Sequence, residues 1–271
     1  MSGMLLHVSD PHFGAMDPAI AAAFLEQSAT MKPDLTVLSG DLTMRARRRE
    51  LEDSLAFTQK LPHPLLVIPG NHDIPALNQP FDRVFRPFYR YCKWFAEGLE
   101  PEYDSAILHV VSLNSSRAFA LSGDWSLGHL SPHQLETLPG RFATARPGSL
   151  RVLVLHHPLI APQGLHRTIV APIEGLKKAI AAAKVDLVLC GHFHLSMIAT
   201  LDCGDGWTTL VSQAGTVCST RLQGQPQSFH EIDFSSLHLS VTVHTYDGKK
   251  FVTTSSPDYG RTDAGWHIIS P

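Results

Sequence analysis

A chain of 271 residues, 44% hydrophobic and 17% charged, can bury a large core and does not have the composition of a disordered segment. Its formal net charge of −3 points away from a nucleic-acid partner, and no run of 18 or more apolar residues offers a membrane span. Cys92, Cys190, Cys203 and Cys218 show neither CxxC spacing nor disulfide density, and read as reduced thiols of a cytoplasmic protein.

In chain order, residues 4–9 read as a first strand, which is too short for a signal-peptide core and runs directly into Asp10 and His12. Asp17-Pro18 is an N-cap followed by proline at N1, and it opens a helix over 19–30. A strand at 35–39, a helix at 47–60 and a strand at 65–69 continue a parallel βαβ pattern. Residues 81–97 read as an aromatic-rich helical insertion, and 105–112 as a strand. Residues 119–130 read as a long loop. Ser131-Pro132-His133-Gln134 starts a short helix, followed by a surface connection over 139–148. A strand at 151–155, a helix at 173–184 and a strand at 186–190 follow. Beyond about 205 the pattern becomes β-rich, with strands at 208–212, 228–234, 237–246 and, after the Asp247-Gly248 turn, 249–254. The tail from 255 reads as partly irregular. No linker divides the chain, so residues 1–271 are expected to form one domain.

Five apolar strands end in side chains able to bind metal or move protons: Asp10 and His12, Asp41, Asn71 and His72, His156 and His157, and His192 and His194. Strand carboxyl ends are where open α/β sheets bind ligands. Asp10, His12, Asp41, Asn71, His156, His192 and His194 form a mixed nitrogen and oxygen donor set. Seven such donors suit two divalent or trivalent ions of the Fe, Mn, Zn or Co type, and are too nitrogen-rich for Ca²⁺ or an all-oxygen Mg²⁺ site. The glycines before Asp41, Asn71 and His192 are expected to permit tight turns near the ions. Spacing alone does not separate His156 from His157; the strand-end position favours His156, leaving His157 to support a ligand, line the pocket or stand exposed.

The ordered blocks Asp10-x-His12, Gly40-Asp41, Gly70-Asn71-His72-Asp73, His156 and Gly191-His192-x-His194 resemble the calcineurin-like metallophosphoesterase family over residues 4–194. The resemblance implies a four-layer α/β/β/α sandwich of two mixed sheets. It also implies that Asp10, His12, Asp41 and His194 hold one metal, and that Asp41 bridges to a second held by Asn71, His156 and His192. Within the family, His156-His157-Pro158, the chain length and Leu113-Asn114-Ser115 are most similar to the bacterial class III cyclic-nucleotide and glycerophosphodiester phosphodiesterase branch. The expected activity is hydrolysis of small-molecule phosphodiesters by a metal-bridging hydroxide. Asn71 would hold phosphoryl oxygens and His72 would stabilise charge and protonate the leaving alkoxide. A phosphomonoesterase or nucleotide-pyrophosphate hydrolase on the same site is the alternative, and a non-catalytic module of the same fold is a third. The branch often carries a GDxxD acid that orients the histidine of the GNH loop. Here the sequence is Gly40-Asp41-Leu42-Thr43-Met44-Arg45, which leaves the orientation of His72 open.

Other residues divide between plain and functional readings. His7 reads as a packed strand histidine. Arg45, Arg47, Arg48 and Arg49 read as a solvated helix start, with phosphate contact as the alternative. Asn114 and Arg117 lie at a strand end on the same rim and are candidates, with His157, for contact with a small-molecule phosphoester. Homo-oligomerisation through the aromatic insertion is left open.

Overall fold

The computed structural model describes residues 2–95, 98–119, 124, 126–162 and 168–270. The first third is β1 (Ser2–Val8), α1 (Pro18–Ser28), β2 (Leu35–Leu38), α2 (Arg48–Thr58) and β3 (Leu65–Val67). The insertion is two short helices, α3 (Pro80–Phe85) and α4 (Tyr89–Trp94), and leads to β4 (Glu102–Asp104) and β5 (Leu108–Ser112). Next come α5 (Pro132–Phe142), β6 (Leu150–Val154), α6 (Ile173–Ala183) and β7 (Leu187–Cys190). The rest is β8 (Met197–Asp202), β9 (Thr208–Gln213), β10 (Ser228–Ser235), β11 (His238–Tyr246), β12 (Phe251–Ser255), β13 (Asp258–Thr262) and β14 (Gly265–Ser270).

The strand order β3-β2-β1-β10-β11-β13-β14-β9-β7-β6-β5-β4 makes a continuous path. It folds over as two half-sheets, joined where β14 meets β9 through the single pair Gly265 and Thr208. Each half contains a parallel unit, β3-β2-β1 in one and β9-β7-β6-β5 in the other. Side chains alternate across each strand. Leu5, Val37, Val152, Val154 and Leu189 fill an apolar layer between the half-sheets. Leu6, Val8 and Leu38 face α1 and α2, whereas Leu153 and Val188 face α5 and α6. The result is four layers, α/β/β/α, with both parallel units delivering their carboxyl ends to one rim.

Local signals place several elements. Asp17 accepts hydrogen bonds from the backbone N–H groups of Ala19 and Ile20, at 2.8 and 3.3 Å. Ser131 and Gln134 form the reciprocal cap expected of α5. That helix is longer than its sequence suggests: Pro139 and Gly140, expected in a surface connection, lie within it because Leu138 and Phe142 are buried against α6. The tail is not irregular. β13 and β14 form a hairpin that buries Trp266 in the layer between the half-sheets.

Candidate metal centre

The five strand-end loops are laced together before any side chain is considered. Asp10 N–H donates to the Gly40 carbonyl and His12 N–H to that of Asp41, both at 3.1 Å, and Gly191 N–H donates to the His156 carbonyl at 3.0 Å. Eight described non-glycine residues have positive φ, and five are Asp10, His12, Asp41, His192 and His194. Non-glycine residues adopt this conformation uncommonly. Gly70 and Gly191 serve close approach and have no positive φ: a Cβ on Gly70 would collide with the Asp41 carboxylate, and one on Gly191 with Ser9 and Asp10.

Asp10, His12, Asp41 and His194 are all buried and bring their donor atoms within 4.8 Å of one another. His12 Nε2 lies 2.9 Å from His194 Nε2 and 3.6 Å from both Asp10 Oδ1 and Asp41 Oδ2. His12 Nδ1 donates to the Thr43 carbonyl at 3.3 Å, and His194 Nδ1 to that of Arg221 at 2.5 Å. With their protons on Nδ1, the two imidazoles turn lone pairs at Nε2 toward each other. Asp10 Oδ1 is buried beside them with no hydrogen-bond partner. A cation satisfies such a donor set, and fixing each ligand imidazole by a hydrogen bond from its other nitrogen is the ordinary arrangement around a metal.

A second group adjoins the first. Asn71 Oδ1 lies 3.2 Å from His156 Nε2 and 3.0 Å from His192 Nδ1. His156 Nδ1 donates to the Ser39 carbonyl at 2.9 Å, again turning Nε2 inward. Asp41 Oδ2 stands 3.3 Å from His156 Nε2, so one carboxylate oxygen faces both groups. The electrostatics agree: burial alone would lower His156, but Asp41 raises it to about 9, and the nearby histidines hold Asp41 well below the carboxylate range despite its burial. A cation bound here would displace protons.

His157 is geometrically close to His156 and His192 but is committed elsewhere. Its Nε2–H donates to the Ser126 carbonyl at 3.0 Å, and its Nδ1 pairs with Ser115 Oγ at 2.8 Å. Burial, then His192 and His156, push it well below the usual imidazole range. The Asn114 side chain accepts from Ser116 N–H at 3.1 Å and shapes its own turn. Arg117 Nε is buried without a hydrogen-bond partner near the same loop. Arg47, Arg48 and Arg49 pair with Glu50, Glu52 and Asp53 along the exposed start of α2. Arg45, with Met44, Asn71, His72, Ile74 and Ser126, lines an open cavity of about 420 Å³ next to the second group.

The orientation of His72 has a backbone answer. Its Nδ1–H donates to the Met44 carbonyl at 2.8 Å, and its Nε2 lies 3.1 Å from an Arg221 guanidinium nitrogen. Guanidinium only donates, so Nε2 accepts. The ring of His72 packs edge-on against His12, 4.9 Å between centroids. Asp73 does not reach the His72 ring. It accepts from the N–H groups of Leu42, Thr43 and Gly70 at 2.8–3.1 Å and from the Thr43 hydroxyl, tying the two loops together. Asp73→Ala is expected to strand three buried N–H donors, at about 1–3 kcal/mol each. With loop relaxation recovering part of that, a net loss of about 2 kcal/mol would lower the calorimetric unfolding midpoint by about 4 °C or more.

Imidazoles and carboxylates with inward lone pairs, at the strand ends of an α/β/β/α sandwich, form a buried cluster able to hold a metal ion. Residues 4–196 match the Calcineurin-like phosphoesterase family, and the chain belongs to that family; it is a phosphoric ester hydrolase. It is 25% identical over 212 residues to the glycerophosphodiester phosphodiesterase GpdQ of Enterobacter lignolyticus, covering 70% of each chain. It is 29% identical over 237 residues to a probable glycerophosphodiester phosphodiesterase of Arcobacter nitrofigilis, covering 85% of this chain and 80% of that one. It is 28% identical over 207 residues to a probable cyclic nucleotide phosphodiesterase of a Synechococcus strain, covering 75% and 72%. Among solved structures, PhoD superposes with a TM-score of 0.71 at 11% identity, over 99% of this chain and 72% of that one. A purple acid phosphatase from yellow lupin superposes with a TM-score of 0.70 at 12% identity, over 93% and 53%. These two likenesses concern the fold. No described helix is long and apolar enough to cross a membrane.

Proposed function

We propose that the protein hydrolyses phosphodiester bonds of small molecules, of the glycerophosphodiester or cyclic-nucleotide kind, at a centre of two cations drawn from Fe, Mn, Zn and Co. The observation that supports this reading is Asp41 Oδ2 facing both donor groups, so that it could serve as one ligand common to two adjoining cations. Asp10, His12 and His194 would complete the first position, and Asn71, His156 and His192 the second. Bound cations would supply Lewis acidity toward phosphoryl oxygens and acidify water.

The chain's own residues do the rest. Asn71 and the walls of the adjoining cavity position the ester. His72 does not fit the expected role of proton donor to the leaving alkoxide, because its Nδ1 proton is held by the Met44 carbonyl and its Nε2 accepts from Arg221; instead it holds the Arg221 guanidinium at the rim, where a fixed cation can meet phosphoryl charge. The buried loops exclude bulk water from the donor atoms. The class of diester is supported by the glycerophosphodiester and cyclic-nucleotide phosphodiesterases to which the chain is similar. The free cysteines fit a reducing, cytoplasmic setting.

The test pairs elemental analysis with Mn²⁺-supplemented hydrolysis of bis(p-nitrophenyl) phosphate and p-nitrophenyl phosphate. About two metal ions per chain with faster diester cleavage are expected. A strong monoester preference would move the assignment to a phosphatase, and absence of both metal and activity after reconstitution would leave a scaffold.

A further inference from the structure

Behind the candidate centre, a file of polar side chains crosses the otherwise apolar layer between the half-sheets. Ser9 Oγ lies 2.6 Å from Asp10 Oδ2, Ser39 Oγ 2.8 Å from Ser9 Oγ, and His7 Nε2 3.0 Å from Ser39 Oγ. Ser212 Oγ then lies 3.0 Å from His7 Nδ1 and 2.8 Å from His230 Nδ1, and His230 Nε2 lies 2.7 Å from Ser196 Oγ. Ser9, Ser39, His7, Ser212 and His230 are buried; Ser196 is half-buried.

The direction of every bond follows by elimination. The Asp10 carboxylate can only accept, so Ser9 donates to it. Ser9 has one proton, so Ser39 donates to Ser9; its other acceptor, the Val8 carbonyl, is longer at 3.4 Å. His7 therefore donates from Nε2 and accepts at Nδ1 from Ser212. Ser212 in turn accepts from His230 Nδ1–H, which leaves His230 Nε2 to accept from Ser196. Burial keeps both imidazoles uncharged, lowering His7 well below its ordinary range and His230 to about 3. Six hydrogen bonds thus point one way and end on one oxygen of a candidate metal ligand. His192 N–H donates to the same Oδ2 at 3.0 Å, while Oδ1 is left without a partner on the metal side.

Buried polar groups are costly unless satisfied, and a valine or leucine seam would fill this layer as well. We propose that the Ser196–His230–Ser212–His7–Ser39–Ser9 chain is a positioning element of the metal centre. It holds Asp10 by Oδ2 so that Oδ1 alone presents to the cation, and it ties that presentation to the packing of β9 across the layer against the paired strands β1 and β10. Ser39 serves both cation positions, because its carbonyl also fixes the His156 tautomer. The inference rests on the reading of Asp10 as a metal ligand.

The test measures Mn²⁺ affinity by calorimetry, and the visible spectrum of Co²⁺-loaded protein, on the full chain and its variants. Ser9→Ala is expected to weaken Mn²⁺ binding about tenfold or more, the usual effect of removing a partner behind a ligand. Ser212→Ala touches no candidate ligand, yet is expected to weaken binding in the same direction and to shift the Co²⁺ bands. Ser212→Thr, which keeps the hydroxyl, should restore both, and saturating Mn²⁺ should recover turnover. Ser196→Ala, at the half-buried end, gives the same reading should Ser212→Ala not fold. Normal metal uptake by the parent with Ser212→Ala and Ser196→Ala indistinguishable from it would overturn this inference alone. A parent that binds no Mn²⁺ would overturn the proposed function as well.

Discussion

Asp41→Asn protein is expected to hold fewer than two metal ions per chain and to cleave diesters about a thousandfold more slowly, or worse. Asn keeps Oδ1 to accept the His72 N–H, a bond of 2.8 Å in the parent, so the loop geometry should survive. What it loses is the second lone-pair-bearing oxygen, which stands 3.6 Å from His12 Nε2 and 3.3 Å from His156 Nε2. An amide NH₂ placed there is a donor, and it replaces the anionic oxygen that faces both sets of inward-facing lone pairs. Lewis-acid stabilisation is worth several kcal/mol, and about 1.4 kcal/mol is tenfold in rate, so losing one cation reaches about 10³-fold. Elemental analysis and kcat on one preparation check this. Two retained ions with kcat within tenfold of the parent would show that Asp41 is not shared.

The second large effect is assigned to Arg221. Arg221→Ala is expected to lower kcat by about 10²–10³-fold, the range for removing one donor to a developing oxyanion. Metal content should be unchanged, because the carbonyl that fixes His194 belongs to the backbone and survives the substitution. Arg221→Lys should recover only part of the loss, since a point charge does not reproduce the planar fork. His72→Ala should lower turnover with metal content intact, and the double variant should lose little more than the worse single, because the two side chains act as one unit. Additive losses would mean that they act separately. Loss of metal in His72→Ala would make His72 part of the metal site itself.

The rim was legible because two independent signals coincide there. Each of β1, β2, β3, β6 and β7 contains a short apolar run, and each is followed within about four residues by Asp, Asn or His. Much of what surrounds the rim carries no such signal. Thr43, Ser39, Met44 and Arg221 act on His12, His156, His72 and His194 through carbonyl groups, which every residue type possesses. Arg221 follows His194 by 27 positions in a turn-rich stretch, and only the fold brings its side chain to His72. His7 could be read as packed, but its partners are remote in sequence, Ser212 on β9 and Ser39 just past the end of β2. Elements failed where packing overrode local preference. Leu138 and Phe142 carry α5 through Pro139 and Gly140, and burial of Tyr259 and Trp266 organises a tail whose neighbours are polar. β4 carries no signal because Glu102–Asp104 is short and polar, and β8 little, because its apolar Met197–Ala199 is only half-buried and is followed by Thr200 and Asp202.

The left-handed backbone at Asp10, His12, Asp41, His192 and His194 has an energetic consequence. That conformation costs about 1–2 kcal/mol for each L-residue, so five such residues carry on the order of 5–10 kcal/mol, comparable with the net stability of a whole domain. Glycine at any of these positions would relieve its share and leave the strands intact. The side chains at these sites recover part of that cost through buried hydrogen bonds, as where Asp41 accepts from the His72 N–H and Asp10 from the His192 N–H. Five left-handed residues on one rim, each bearing a donor side chain, set a conformational cost that the fold meets elsewhere.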